Sequence, residues 1–305
     1  MFFKNLAAYR ITESIKLSAD EITDKLLNHQ FKDIGAHDEF SFGFVPPSPD
    51  KSQILHDTGT AILICVQREE KVLPPSAINK ATRDRIAKIE EDENRSLPKK
   101  EKRRIRDEVL FEMIPQAFTQ IIKTYAYIDH SAGFVVVDAA TARKAEDIIT
   151  LLRKALGSLR VTPVVSQLAD STPLRMQFTN WVQSKIPPES FEIDNEADFE
   201  QTDESKAKIK IRNEDLFTPN VIAHIENGYM AKKLALVWSD KIAFTVDADL
   251  QIKRLKFLEL YQELLDTEVA DEQQAFEADF LIMADQIGRL MNGLFVVLGG
   301  LKELD

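Results

Sequence analysis

The sequence predicts an α+β protein with a central body of mixed sheet and helices, an inserted basic helical hairpin and a C-terminal α+β region. Short apolar runs typical of strands alternate with helical patterns, a long stretch near residue 100 lacks strand signals, and no doubly wound signature is present. A chain of 305 residues with 44% hydrophobic residues can bury more than one core. We place the body at residues 1–74 and 123–165, the hairpin at 75–122, and the C-terminal region at 166–305.

The first quarter of the chain is predicted to form a small α+β unit. "FFKNLAAYRI" predicts a strand, and "SADEITDKLLNHQF" predicts a helix that begins with a capping box, because Glu21 follows Ser18 by three residues. "FSFGFVPP" and "TAILICVQ" predict strands, and the second is apolar enough to be buried on both faces.

A similar pattern returns at 124–165, where "TYAYID" and "GFVVVDA" flank a turn. The amphipathic helix "ARKAEDIITLLRKALG" follows and ends at Gly157. We expect these two parts of the body to share one core.

Two helices are predicted between them. Apolar side chains recur at helical spacing in "PSAINKATRDRIAKIEEDEN", and a second helix follows Pro98, whose ring suits a first turn. The apolar stripe of the second helix consists of Ile105, Val109 and Met113.

The second helix begins in "RSLPKKEKRRIR", a strongly basic run in a chain whose formal net charge is -11. Glu101 is the only acid within it, so the usual alternation of charges four residues apart is missing. The run is either a solvated helix face balanced by acids elsewhere or a surface that binds a polyanion such as DNA. The candidate DNA-binding residues here are Arg95, Lys99, Lys100, Lys102, Arg103 and Arg106.

Two further basic stretches lie in the C-terminal region. "KAKIKIR" at 206–212 alternates bases with apolar residues, so a strand would place all four bases, Lys206, Lys208, Lys210 and Arg212, on one face. The alternative is an edge strand that carries lysines against aggregation. "LQIKRLKFL" at 250–258 ends a predicted three-stranded meander with "LALVW" and "KIAFTV". Because acids concentrate at 189–204 and 259–279, we expect a polarised surface.

No pattern typical of an enzyme is present in the sequence. It contains no glycine-rich phosphate loop, its five histidines lack metal-ligand spacing, and no nucleophile arrangement is recognisable. We therefore predict a binding protein with no catalytic residue, no metal and no cofactor.

The single cysteine, Cys65, lies in an apolar run and predicts a core residue, as expected for a reducing cytoplasm. Lys4 and Arg10 interrupt the apolar start before a signal-peptide core could form, and we expect no segment to approach the roughly 18 apolar residues that cross a membrane.

The last apolar helix, at about 275–298, allows two interpretations. Apolar side chains recur at helical spacing, which is typical of core packing and also of a dimer seam. The candidate dimer-interface residues are Phe276, Phe280, Met283, Ile287 and Leu290.

Several stretches along the chain are informative when they are taken together: "FFKNLAAYRI", "GFVPP", "REEKVLPPSAI", "KKEKRRIRDEVL" with "IPQAF", "RKAEDIITLLRKALGSL", "HIENGYMAKKLALVW", "LQIKRLKF" and "FEADFLIMADQIGRLMNGL". In this order, and over nearly the whole chain, they resemble the recombination-associated RdgC family of proteobacteria. The resemblance implies a cytoplasmic, nucleoid-associated, closed ring-shaped homodimer that binds duplex DNA independently of sequence and restrains the RecA recombinase. It implies no catalytic step. The hairpin and the C-terminal region would be the parts that meet their counterparts in the dimer.

The resemblance also singles out Phe118 in "IPQAF", the family's DNA-binding stretch, although an ordinary core phenylalanine is the alternative. Gln116 stands where the family usually has arginine, and Asn213 and Glu214 replace more basic or amide-bearing residues. A second hypothesis is a protein-interaction module that inhibits RecA directly, with DNA binding secondary.

Overall fold

The computed structural model describes residues 2–164, 174–258 and 271–298. These residues form an α+β fold with seven α-helices and a twelve-stranded sheet in which all the strand pairs are antiparallel. The strands are β1 (Asn5–Ile11), β2 (Phe40–Val45), β3 (Leu55–Asp57), β4 (Ala61–Val72), β5 (Phe118–Asp129), β6 (Phe134–Val137), β7 (Val161–Pro163), β8 (Phe191–Gln201), β9 (Lys208–Arg212), β10 (Tyr229–Trp238), β11 (Ile242–Asp247) and β12 (Ile252–Phe257). The helices are α1 (Ala19–Leu27), α2 (Pro75–Asp92), α3 (Lys99–Met113), α4 (Ala142–Leu156), α5 (Leu174–Ser184), α6 (Pro219–Glu226) and α7 (Glu272–Val297).

Local sequence signals set several element ends as predicted. Ser18 and Glu21 form the capping box of α1, in which the Ser18 amide donates to the Glu21 carboxylate at 2.8 Å. Gly157 ends α4 at φ 83°, a left-handed conformation that glycine adopts without a Cβ penalty. Pro98 precedes the first residue of α3.

The body has a core on each face of its sheet, as the apolar run of β4 predicted. Ile62 and Ile64 point into a cluster formed with α1 and α4, whereas Leu63 points into a second cluster that contains α7. Successive strand residues alternate between faces, so a strand that is covered on both sides is apolar throughout. Cys65 is fully buried in the same strand, as predicted.

The body and the C-terminal region are not separate sheets. The strand order is β2-β4-β5-β6-β1-β12-β11-β10-β8-β9, with β3 added to β4 and β7 to β1. β1 pairs with β12 through Asn5–Lys253 and Leu6–Ile252, and the α7 side chains pack against Phe3 and Leu6 in one core. The predicted boundary between 165 and 166 lies outside the described residues.

The inserted hairpin consists of α2 and α3, which pack around Leu97, Ile105 and Val109. It joins β4 to β5, and these strands remain paired up to Val72 and Phe118. The predicted insertion at 75–122 is therefore too long, because residues 118–122 already belong to β5. Both faces of this strand end are largely exposed, so its sequence lacks the alternation that marks a half-buried strand.

The α7 side chains predicted as a dimer seam lie inside the core of the single chain. Phe280, Met283, Ile287 and Leu290 are all at 0% exposure, and Phe276 is at 8%. A side chain that is buried within one protomer cannot also form the surface that a second protomer covers. The dimer-seam interpretation of these five residues is therefore wrong, and the core interpretation replaces it.

One described helix, α7, is long and apolar enough by length and composition to cross a membrane. This contradicts the expectation that no segment approaches that composition. Core helices pass the same test, and the apolar stripe of α7 is buried against the sheet.

Candidate nucleic-acid interface

Two of the six bases predicted on the hairpin are neutralised by acids that fold against them. Lys102 Nζ lies 2.9 Å from Glu90 Oε1, and Arg95 bonds Glu93 at 2.6 Å and Glu101 at 2.8 Å. The two helices run antiparallel, so the acid-rich end of α2 lies next to the basic start of α3. Sequence reasoning named Glu101 but missed Glu90 and Glu93, although the run "IEEDEN" just before the loop was a usable signal.

Glu90 also stabilises the loop between the two helices through hydrogen bonds. Its carboxylate accepts hydrogen bonds from the Leu97 amide at 2.7 Å and the Ser96 hydroxyl at 3.4 Å, in addition to the Lys102 ammonium. The bond from the Leu97 amide, followed by the Lys102 contact, lowers the pKa of Glu90. Lys102 therefore has a structural role in the hairpin.

The other four predicted bases of the hairpin are exposed and make no ion pair with any residue in the described parts of the chain: Lys99, Lys100, Arg103 and Arg106. Three of them, Lys99, Arg103 and Arg106, follow one stripe of α3 at i, i+4 and i+7. Cations with no internal partner are free to contact an external anion.

Phe118 is exposed at 87%, so the core interpretation of this residue is wrong. It begins β5 opposite Val72, and Ile121 nearby on the same strand is 56% exposed. Phe118 follows the C-terminal end of α3, whereas the predicted bases lie at the start of this helix, whose 15 residues span about 22 Å. Gln116 lies exposed in a 3₁₀ turn just before Phe118.

The predicted basic strand is β9, an edge strand at the end of the sheet. Lys208, Lys210 and Arg212 are exposed, while Ile209 and Ile211 pack towards the core, as the alternation predicted. Both interpretations of this strand, DNA contact and protection of an edge, fit that geometry.

The neighbouring strand β8 places an acid opposite each of these bases. Glu196 lies opposite Arg212, Asp198 opposite Lys210, and Glu200 opposite Lys208. Arg212 bonds Asp198 at 2.7 Å and Glu196 at 3.4 Å, whereas Lys208 and Lys210 form no ion pair with the described residues. The expected polarised surface is wrong here, since the acids of 189–204 lie beside the bases within the sheet.

The third basic stretch is also partly neutralised. In β12, Lys253 lies 3.4 Å from Asp247 and Arg254 lies 2.6 Å from Glu196, while Lys256 is exposed without an ion pair to the described residues. The meander of β10, β11 and β12 is confirmed.

Asn213 and Glu214 lie in the turn that follows β9. Asn213 has φ 54°, a left-handed conformation that asparagine tolerates better than most residues, and the Glu214 amide donates to the Asn195 carbonyl at 3.3 Å.

Groups of three or more histidine, cysteine or carboxylate side chains that could hold a metal do not occur among the described residues. Burial raises the pKa of the Cys65 thiol to about 11, which keeps it protonated and unreactive.

Comparisons with known proteins match nearly the whole chain. A family model described as "RdgC: Putative exonuclease, RdgC" matches residues 1–301. The "Recombination-associated protein RdgC" of Yersinia pestis (strain Pestoides F) is 37% identical over 302 residues, which cover 98% of each chain. The protein of the same name from Salmonella paratyphi B (strain ATCC BAA-1250 / SPB7) is 38% identical over 302 residues with the same coverage.

The chain belongs to the RdgC family. The resemblance predicted from the motifs is thereby confirmed over nearly the full length. These RdgC relatives are named for recombination and carry no enzyme name, whereas the description of the RdgC family model mentions an exonuclease.

Proposed function

We propose that this protein binds duplex DNA without sequence preference as a ring-shaped homodimer, and so restrains RecA-mediated recombination. We further propose that it acts in the cytoplasm on the nucleoid. The observation that carries the proposal is the stripe of free cations on α3, which stands out in a chain of net charge -11. Contacts from lysine and arginine to phosphates position a protein on DNA without reading its sequence.

The family name of the relatives supports the link to recombination. Two-fold symmetry would double the number of cations that face the DNA, so modest single contacts would add up to useful affinity. The exposed side chain of Phe118 would lie against DNA or against a second copy of the chain, since an apolar ring gains most when water is removed from it.

The test is DNA affinity against salt concentration for wild type and for Arg103→Glu/Arg106→Glu. Each phosphate contact that is lost lowers the magnitude of the log-log salt slope by about 0.9 on duplex DNA, so we expect a decrease of about 2 per chain. Lys144→Glu/Lys154→Glu is the matched control, because it changes the net charge equally at two exposed positions of α4 that make no ion pair with the described residues. The proposal would be contradicted if the two variants had equal DNA affinities and equal salt slopes while both kept the mass of the wild-type assembly.

The direct inhibition of RecA is the second candidate function. A competition assay on DNA too short to hold both proteins separates the two mechanisms. Inhibition that persists while this protein leaves the DNA unoccupied would favour direct contact with RecA and contradict inhibition through DNA occupancy.

The description of the family model makes exonuclease activity the third candidate. Incubation of end-labelled duplex and single-stranded DNA with Mg²⁺ tests it. We expect no release of nucleotides, and release that requires the purified protein would contradict the proposed non-catalytic role.

A further inference from the structure

We propose that carboxylates of β8 compete with DNA phosphates for the basic residues of the neighbouring strands. By pairing with cations of β9, β10 and β12, these carboxylates hold that part of the sheet in a state that binds DNA weakly. The inference rests on the proposed function and adds to it a means of limiting affinity. It concerns Glu196 above all, with Asp198 as its neighbour on the same strand.

Glu196 is a shared partner of cations from three strands. Its carboxylate oxygens lie 2.6 Å from Arg254 Nη1, 3.2 Å from Lys233 Nζ and 3.4 Å from Arg212 Nε. Asp198 lies 2.7 Å from Arg212 Nη2. Two carboxylates thus face three cations, and the cluster keeps a formal charge of only +1.

The exposure of the charged groups indicates that the cations cover the acid. The Glu196 side chain is 16% exposed, whereas those of Arg254 and Arg212 are 59% and 35% exposed. A phosphate arriving from solvent can therefore reach the two guanidinium groups, but it must draw them away from the carboxylate beneath.

Carboxylate and phosphate compete for the same donors, because a guanidinium presents a planar pair of N–H groups that fits both anions. The contacts to Glu196 lower its pKa, although desolvation acts in the opposite direction, so the carboxylate stays charged at neutral pH. A fixed negative charge below the arginines would also repel an incoming phosphate.

The test compares DNA binding by Glu196→Gln and by Glu192→Gln at several salt concentrations. Both variants replace a carboxylate of β8 with an amide of the same shape, but Glu192 is exposed and makes no ion pair with the described residues. We expect Glu196→Gln to bind about fivefold more tightly than Glu192→Gln, with a salt slope steeper by about 1 per chain, because freed cations gain phosphate contacts. Equal affinity and slope in the two variants would overturn the inference.

Asp198→Asn provides a second variant if Glu196→Gln fails to fold, and it should also tighten binding because it releases Arg212. Unchanged binding by a folded Asp198→Asn would then overturn the inference. The proposed function fails separately if wild type does not bind DNA. In that case a gain of binding by Glu196→Gln would still support the competitor role, and an absence of binding by both would refute it.

Discussion

Replacement of Phe118 by alanine distinguishes a surface ring from a core ring by its effect on stability. A phenylalanine side chain can bury about 200 Å², and Phe118 is 87% exposed, so about an eighth of that area is buried. About 25 Å² of apolar area at about 25 cal/mol per Å² amounts to about 0.6 kcal/mol. We expect Phe118→Ala to lower the free energy of unfolding by less than about 1 kcal/mol.

The matched control is Phe280→Ala, which removes the same ring from a fully buried position in α7. A core substitution of this kind costs about 3 to 5 kcal/mol. Urea unfolding of both variants, monitored by circular dichroism at two protein concentrations, measures how much unfolding free energy each variant loses. A loss above about 2 kcal/mol for Phe118→Ala that does not change with protein concentration would refute the exposed placement. A loss that grows with concentration would instead place the ring in an interface between copies.

Two further predictions concern a close backbone contact of Gly43 in β2 and the carboxylate of Glu90 in the hairpin. A Cβ atom on Gly43 would lie 2.5 Å from the backbone N and Cα of Phe31, so we expect Gly43→Ala to lower the free energy of unfolding in urea by about 1 to 3 kcal/mol. Gly288→Ala, in an open helical position, should raise it by about 0.5 to 1 kcal/mol, and equal effects would contradict the close contact at Gly43. The lowered pKa of Glu90 means that its stabilising contribution is present above the ordinary glutamate pKa of 4.5 and is lost as pH falls through the lower folded value. Glu90→Gln should therefore differ in unfolding free energy from wild type at pH 7 and approach it at low pH, and a difference that does not change with pH would exclude this role.

Sequence patterns predicted the elements that are encoded by neighbouring residues. The capping box at Ser18, the glycine that ends α4 and the alternation of β9 all depend on residues within a few positions of each other. The pairing of β1 with β12 depends on segments almost 250 residues apart, so no local pattern reveals it. For the same reason, no local pattern shows that strands of the body and of the C-terminal region share one sheet.

The candidate site was predicted less well than the fold. Most of the predicted bases are exposed, but some have acidic partners on other elements, as Lys102 has in Glu90 and Arg254 has in Glu196. Strand β8 itself was not predicted, because its acid-rich sequence was interpreted only as part of a polarised surface. The exposure of Phe118 could not be predicted from the sequence either, because it depends on where the first residues of β5 lie relative to the body of the sheet.

The distribution of ion pairs determines how a loss of DNA binding should be interpreted. A substitution at Lys102 would remove a phosphate candidate and also free Glu90, whose bonds hold the loop through Leu97. Reduced binding by such a variant would not distinguish a lost phosphate contact from a disordered hairpin. Arg103 and Arg106 have no such partner in the described chain, so their replacement changes the surface charge and leaves the hairpin contacts in place. A cation without an internal partner is therefore the informative position for a test of phosphate binding in an acidic protein.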